Sequence, residues 1–361
     1  MLIKEVAIIG GGPAGLAAAI ETAGLGCDTL VIDENRLPGG QLFKQIHKFF
    51  GSTAHNAGVR GMDIGKRLLS GTESSGAEVW LDSAAVGLFP EKRIAVLRGG
   101  RIEIVQAQRV LVCTGASENA VNFEGWSLPG VMGAGAAQTM ANVHRVLPGK
   151  RVLMLGSGNV GVIVAYQLIQ AGADVVAIVE AAPQIGAYGV HAGKVRRAGV
   201  PFLLGHTVVR AEGNGRVEKA VMAKLDNWRP VPGTERETAV DAICVAAGLR
   251  PMTELARMCG AKHLFVPELG GWMPWHDENM QSSVPGVYVA GDTAGVEEAS
   301  TAMDEGRLAG VMIARSLGRV GGAEATERAQ GIRMRLDALR QGPFGERRRL
   351  AKQRLAEAKP V

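Results

Sequence analysis

The sequence predicts an α/β fold built from two three-layer ββα units and closed by a short helical tail. Three observations predict it. One strand–turn–helix–strand unit occurs twice, its first glycines 146 residues apart. Each copy opens on four apolar residues in a row, as in a strand buried on both faces of a parallel sheet. The chain has 361 residues, too many for one comfortable core and enough for two domains.

In the first copy Val6-Ala7-Ile8-Ile9 reads as the buried strand. The turn Gly10-Gly11-Gly12-Pro13-Ala14-Gly15 follows, then an Ala-rich helix to about Leu25 and a strand from Thr29 to Ile32 that ends on Asp33-Glu34. In the second, Val152-Leu153-Met154-Leu155 leads to Gly156-Ser157-Gly158-Asn159-Val160-Gly161. A helix to about Ala171 and a strand over 175–179 that ends on Glu180 complete it. The first glycine of each turn permits a tight bend, the second lets a pyrophosphate approach the backbone, and the third lets helix and strand pack closely. The helix N-terminus offers free N–H groups and a positive dipole end to the phosphates. The acid ending the second strand accepts from ribose hydroxyls.

One such turn says little. Two in the same context, with acids at matched spacing, predict two Rossmann-like dinucleotide-binding domains. Gly10, Gly12, Pro13, Ala14 and Gly15 are the candidates at the first site; Gly156, Gly158, Asn159, Val160 and Glu180 are those at the second. Asp33 and Glu34 compete for the ribose at the first. Gly161 to Glu180 is 19 residues and so is Gly15 to Glu34, so the count favours Glu34 and keeps Asp33 as the alternative. After Glu180 come Ala181-Ala182-Pro183-Gln184, with no cation for a 2′-phosphate, which favours NAD(H) over NADP.

Composition narrows the function classes. Apolar residues make up 47% and charged residues 21%, ordinary for a globular chain. Aromatics are 4%, which argues against a stacking platform for single-stranded nucleic acid. The net charge of +5 sits in residues 321–361, where ten Lys/Arg face five acids; the body offers no basic groove, and nucleic acid is not expected. That tail places Ile332, Leu336, Leu339, Leu350 and Leu355 at helical spacing, and Gly342-Pro343 splits it into two helices. It reads either as a layer packed on the body or as a dock for an acidic partner surface. Its narrow apolar face argues against membrane association. The four cysteines, Cys27, Cys113, Cys244 and Cys259, show neither a CxxC nor metal-ligand spacing, which predicts reduced thiols, no metal site and a cytoplasmic protein. No signal peptide is read at Met1. The apolar stretch 159–179 is broken by Gln167, Gln170 and Asp174, so no membrane span is expected.

These residues resemble the two-dinucleotide-binding flavoproteins related to thioredoxin reductase and the pyridine nucleotide-disulfide oxidoreductases, over roughly residues 1–318. Pro38-Gly39-Gly40-Gln41 is similar to the family's Gly-Gly-Gln stretch beside the flavin. Val110-Leu111-Val112-Cys113-Thr114-Gly115-Ala116 resembles the segment ending the first part of the FAD domain, and Ala246-Ala247-Gly248-Leu249-Arg250-Pro251 the one ending the NAD domain. Gly286-Val287-Tyr288-Val289-Ala290-Gly291-Asp292 resembles the late FAD strand, whose Asp reaches the ribityl chain. The resemblance implies an FAD-binding domain of residues 1–117 and 246–320, an NAD(P)-binding domain, 118–245, inserted in it, and the basic tail, 321–361. It implies a helix from Glu298-Ala299-Ser300 whose N-terminus faces the flavin's pyrimidine end and favours the reduced anion. Glu297 and Glu298 either weaken that effect or are ordinary N-terminal acids. Val86 and Lys48 are further candidate FAD contacts. His47, in Lys44-Gln45-Ile46-His47-Lys48-Phe49-Phe50-Gly51, reads either as a cation near the flavin that stabilises its reduced anion or as a solvated loop edge. His276 and its neighbouring tryptophans, Trp272 and Trp275, suit packing or an interface better than a substrate cage.

The chain departs from the reductases at the disulfide. Leu37-Pro38-Gly39-Gly40-Gln41-Leu42-Phe43 carries no Cys and residues 118–245 contain only Cys244, so no thiol–disulfide relay can be built. Trp126-Ser127-Leu128-Pro129-Gly130-Val131-Met132, Gly135-Ala136-Ala137-Gln138-Thr139 and Gly342-Pro343-Phe344-Gly345 are similar to a narrower set. These are the FAD-binding α subunits of sarcosine oxidase, L-proline and hydroxyproline dehydrogenase, opine oxidase and hydrogen cyanide synthase. That resemblance implies an FAD-dependent NAD(H) oxidoreductase, the electron-transfer subunit of an amine or imino-acid dehydrogenase complex. It implies that the partner is a second flavoprotein subunit. Any iron–sulfur cluster would lie on another subunit, since no Cys-rich segment is present, and a homo-oligomer stays open. The cofactors carry such chemistry, so no catalytic acid–base residue is assigned. The rivals are a stand-alone NADH oxidase or diaphorase, and a non-catalytic flavin-holding assembly subunit with a vestigial nicotinamide site.

Overall fold

The computed structural model of the chain describes residues 1–49 and 52–358, leaving out the Phe344 side chain. Phe50, Gly51 and Lys359 lie outside the described residues. The chain forms two compact units, residues 1–117 with 250–361, and residues 118–249. The second boundary falls after Leu249 and not after 245. Ala246 N donates to Leu155 O (2.7 Å) and Asn119 N to Gly248 O (3.0 Å), which keeps 246–249 with the second unit.

The first unit opens with β1 (Leu2–Ile9), α1 (Pro13–Gly24) and β2 (Thr29–Ile32). Then come α2 (Gly61–Ser74), β3 (Glu78–Trp80), β4 (Ser83–Phe89), β5 (Arg93–Arg98) and β6 (Arg101–Val112). The strands β3-β2-β1-β6 pair in parallel, and β6 continues antiparallel into β5 and β4. The length of β6 makes this branching possible: 105–112 pair with β1 and 101–106 with β5. Val6 to Ile9, Leu30 to Ile32 and Val110 to Val112 are at most 3% exposed, as in a sheet covered on both sides.

The second unit contains β7 (Val131–Gly133), α3 (Ala134–Asn142), β8 (Arg151–Leu155), α4 (Asn159–Gln170), β9 (Asp174–Glu180) and α5 (Gly189–Arg197). It continues with β10 (Phe202–Leu204), β11 (His206–Glu212), β12 (Lys219–Asp226), β13 (Arg236–Ala239) and β14 (Ala242–Val245). Its parallel sheet has the order β10-β9-β8-β14-β7, and β11, β12 and β13 form an antiparallel layer. Along β8, Val152 and Met154 join one buried cluster while Leu153 and Leu155 join another, the period-two signature of a strand packed on both faces.

The chain then returns to the first unit. β15 (Val287–Val289) pairs in parallel with β6, and α6 (Ala299–Ser316) packs on α1. Glycine permits that approach: a Cβ at Gly306 would lie 2.0 Å from Ala14 O. The tail forms α7 (Gly322–Leu339) and α8 (Gly342–Glu357). Ala325, Ala329, Ile332 and Leu336 of α7 enter the core of the first unit, and Ala351 and Leu355 of α8 pack with Leu269 and Met273. Leu350, read with the apolar stripe, is exposed; the inner face of α8 carries Ala351 in its place. Among the described residues no helix is long and apolar enough to cross a membrane.

Candidate functional site

The two glycine turns share one geometry. At the first, Gly10 has φ +107° and a Cβ there would meet Cys113 O at 2.2 Å. Gly15 closes on the same turn, where a Cβ would lie 1.8 Å from Gly10 O. Gly12 caps α1, and Pro13 opens the helix where its missing N–H has no intrahelical partner to lose. Ala14 lies beneath α6, as the Gly306 contact shows. Gly39 N donates to Gly11 O (3.0 Å), which holds Gly40 and Gln41 beside the turn. At the second, Gly156 also has φ +107°, and a Cβ would meet Ala246 O at 2.2 Å. A Cβ at Gly161 would lie 2.2 Å from Gly156 O. Gly158 caps α4, and a Cβ on it would meet nothing within 4 Å. A glycine backbone with open space beside a helix N-terminus fits a pyrophosphate.

The acids are fixed by the turns they serve. Asp33 accepts from Gly11 N, and its other oxygen accepts from Asn35 N (2.7 Å) and Asn35 Nδ2 (2.9 Å). Glu180 accepts from Ser157 N (2.8 Å), Ser157 Oγ (2.6 Å) and Ala182 N (2.8 Å). Register identifies the counterparts. Gly10 N donates to Ile32 O and Gly156 N to Val179 O, so Asp33 and Glu180 are equivalent. This corrects the residue count, which pointed to Glu34. In β9 the pairing with β8 shifts between Val175 and Ala177, a bulge at Val176 that adds one residue to the second copy. Glu34, one position on, is exposed.

Asn159 Oδ1 accepts from Tyr188 N (2.9 Å), and Val160 stands exposed in the first turn of α4. Gly248 has φ +93° and lies against Asn119.

A second constellation forms around the turn Gly291–Ala294 of the first unit. Gly291 has φ +66°, where a Cβ would lie 2.9 Å from the Ala14 Cβ. Gly115 N donates to Thr293 Oγ1 (2.8 Å) and Thr114 Oγ1 to Met252 O (2.7 Å), which joins 114–116 to this turn; Ala116 is half-buried. Asp292 is half-buried. Burial pushes its carboxyl up to about 7, aided by the charges of Glu298, Glu305 and Glu297, while Glu297 N donates to its Oδ1 (3.2 Å) and works the other way. A carboxyl in that setting suits hydroxyl donors. Glu298 caps α6, which Ala299 and Ser300 open, and Glu298 N donates to Thr301 Oγ1 (3.1 Å).

Glu297 and Glu298 do not stand as uncompensated charge before that helix. Arg340 reaches Glu297 through Nε (3.0 Å) and Nη2 (2.6 Å), and Arg348 lies 3.5 Å from Glu298. Arg335 meets Asp304 (2.9 Å), Lys352 meets Glu305 (2.6 Å) and Arg354 meets Glu268 (2.7 Å). These tail cations therefore pair within their own unit, and for them the reading as a dock for an acidic partner gives way to packing on the body. Sequence reasoning missed Glu305, Arg340 and Lys352; no local pattern joins partners 35 and 47 positions apart.

Gln41 and Lys48 are exposed, and Lys48 bridges the backbone of Arg60. His47 stacks on Phe49 with centroids 5.5 Å apart. Val86 is exposed at an irregularity in β4 between Ala85 and Gly87. Burial, then the Lys352 charge, pushes the buried His276 ring down to about 4, and its Nδ1 lies 2.9 Å from Asp277 O. Trp275 Nε1 donates to Ala358 O (2.7 Å), which ties it to the end of α8, whereas Trp272, edge-on to Phe265, is 54% exposed. All four cysteines are free, and burial pushes Cys27 up to about 11 and Cys244 up to about 12, which leaves little thiolate.

The family model of the pyridine nucleotide-disulphide oxidoreductases matches residues 4–306. The chain belongs to that family. It is an oxidoreductase, and membership implies FAD and a pyridine nucleotide. The HcnB component of hydrogen cyanide synthase from Pseudomonas aeruginosa is 30% identical over 94% of this chain and 77% of the relative. An opine oxidase subunit from Rhizobium meliloti is 31% identical over 88% of this chain and 72% of the relative. Among solved structures, L-proline dehydrogenase from P. horikoshii superposes with a TM-score of 0.69 at 26% identity, covering 91% of this chain and 59% of that one. Thioredoxin reductase of T. acidophilum, with a TM-score of 0.73 at 19% identity, covers 88% of this chain and 99% of its own, a likeness of fold alone.

Proposed function

We propose that the chain is an FAD-dependent NAD(H) oxidoreductase without a redox-active disulfide, serving as the electron-transfer subunit of an amine or imino-acid dehydrogenase complex. The observation that carries this is the pair of glycine turns with matching geometry, each holding a carboxylate against its own loop. At the first, Gly10, Gly12, Pro13, Ala14 and Gly15 bring backbone and helix N-terminus to the FAD pyrophosphate. Asp33 accepts from the adenosine ribose, and Val86 flanks the adenosine end. Gly40, Gln41 and Lys48, with Thr114, Gly115 and Ala116, border the flavin end. Asp292, beside Gly291, accepts from ribityl hydroxyls. Ala299 and Ser300 at the start of α6 offer N–H groups and a positive dipole end to the pyrimidine edge.

Bound FAD would supply two-electron exchange with a nicotinamide. Gly156, Gly158, Asn159 and Val160 receive the pyrophosphate of that nucleotide, and Gly248 borders it. Glu180 accepts from its ribose, and the carboxylate repels a 2′-phosphate, so NAD(H) is preferred. Likeness to relatives named as subunits supports a complex with a second flavoprotein, which binds the amine, and with an iron–sulfur subunit where a cluster is used.

Anaerobic mixing with NADH is expected to bleach the flavin absorbance. Absorbance that persists at millimolar NADH would overturn nicotinamide use. Purification of the tagged chain from its native cells is expected to bring down a second flavin-bearing polypeptide. Recovery of the chain alone, with full NADH turnover on oxygen, would overturn the complex.

A further inference from the structure

We infer that the C-terminal helices complete the flavin site, with Lys352 and Arg340 acting as positioning residues for the Gly291–Ala294 turn. The inference rests on the reading of that turn as part of the FAD site. Both ends of the turn are tied to the tail. At its start Gly291 N donates to Glu305 Oε2 (3.0 Å), while Glu305 Oε1 accepts from Arg340 Nη2 and Lys352 Nζ (2.6 Å each). At its end Ala294 O accepts from the same Lys352 Nζ (2.9 Å). Between them, Asp292 accepts from the N–H of Glu297, whose carboxylate is gripped by Arg340.

The four charged side chains are deeply buried, at 11% exposure for Arg340, 4% for Glu297, 3% for Glu305 and 8% for Lys352. Docking two helices does not require this. Ala351, Leu355 and the Trp275 bond to Ala358 O already fasten α8, and apolar residues in place of a buried ion pair are often neutral or stabilising. A charged quartet adds what apolar packing lacks: directional bonds to two named backbone atoms of the turn. It also adds charge balance. Two cations offset two carboxylates beside Asp292. Removing the Lys352 charge leaves an excess negative charge there, which opposes the anionic reduced flavin.

The test uses the full chain. FAD affinity is titrated by flavin fluorescence, the midpoint potential is measured by reductive titration against a dye, and the apoprotein is melted thermally. Lys352→Met is expected to weaken FAD binding roughly tenfold or more, since one partner of a buried pair is lost. It is also expected to lower the midpoint potential by about 30 mV, a tenfold change for a two-electron couple. Lys352→Arg should restore most of both. Arg354→Gln, which loses only the surface pair with Glu268, should change neither. Should Lys352→Met fail to fold, Arg340→Lys keeps the charge but loses the fork that spans Glu297 and Glu305. It should weaken FAD while nearly holding the potential. Apoprotein destabilised with FAD affinity and potential unchanged would mean docking alone, and would overturn the inference. A wild-type chain that binds no FAD would instead overturn the reading of the site, and the inference with it.

Discussion

Asp33 and Glu34 stand side by side with different surroundings. Asp33 is buried and fixed by Gly11 N and Asn35, while Glu34 is exposed. Asp33→Asn is expected to weaken FAD binding by about 1.5–3 kcal/mol, the worth of hydrogen bonds to a charged group. Glu34→Gln should stay within about 0.5 kcal/mol, as at an ordinary surface site. Fluorescence titration of the two variants decides between them, and equal losses would count against Asp33. Asp292 makes a separate, pH-dependent prediction. Its folded pKa is raised from 3.8 to about 7, so the folded apoprotein keeps a proton that the unfolded chain has lost. The contribution of this group to stability is fully present below about 4 and is lost as pH rises through about 7. Asp292→Asn should therefore flatten the fall in apoprotein melting temperature across that window. A ribityl hydroxyl donated to Asp292 favours the ionised form, so wild-type FAD affinity should rise with pH up to about 7. An affinity indifferent to pH there would contradict that contact.

Helices α1 and α6 show how packing between elements fixes the loops at their ends. A Cβ on Gly306 would lie 2.0 Å from Ala14 O and 2.7 Å from Ala14 C, backbone atoms of the helix whose N-terminus faces the first turn. Gly306→Ala is expected to cost about 1–3 kcal/mol, as overpacking does, and to lower FAD content along with the melting temperature. Gly331 in α7 has nothing within 4 Å of such a Cβ, so Gly331→Ala should instead gain about 0.5–1 kcal/mol of helix propensity. Thermal melts of the two alanine variants test the contrast, which fails if they move together. Elements also explain what could be read from the sequence. Gly10, Gly15, Gly156 and Gly161 were legible because backbone approach depends on the absence of a side chain, a property of residue identity. The counterpart of Glu180 in the first copy was not. The bulge at Val176 leaves no mark in Val175-Val176-Ala177-Ile178-Val179, an apolar run that suits paired and bulged positions equally. Nor were the partners of Arg340 and Lys352, because the fold alone brings α7 and α8 against α6.

At the scale of the whole molecule, each unit has its own parallel sheet, its own buried clusters and its own glycine turn. Defects in the two sites should therefore separate. Glu180→Ala removes a carboxylate held by three donors at the second turn. It is expected to weaken NADH by about 1–2 kcal/mol and to narrow the preference for NADH over NADPH, because the repelling charge is gone. FAD content should be unchanged. Asp33→Asn should do the reverse, with FAD content lowered and NADH binding to the apoprotein retained. In the double variant each binding penalty should stay within about 0.5 kcal/mol of its single-variant value, since Asp33 is held by Gly11 and Asn35 and Glu180 by Ser157 and Ala182. Calorimetric titration of NADH into apoprotein and fluorescence titration of FAD measure the two terms independently. A penalty that grows when both substitutions are present would mean that a change at one turn alters binding at the other, and the two sites would then have to be treated as one coupled unit.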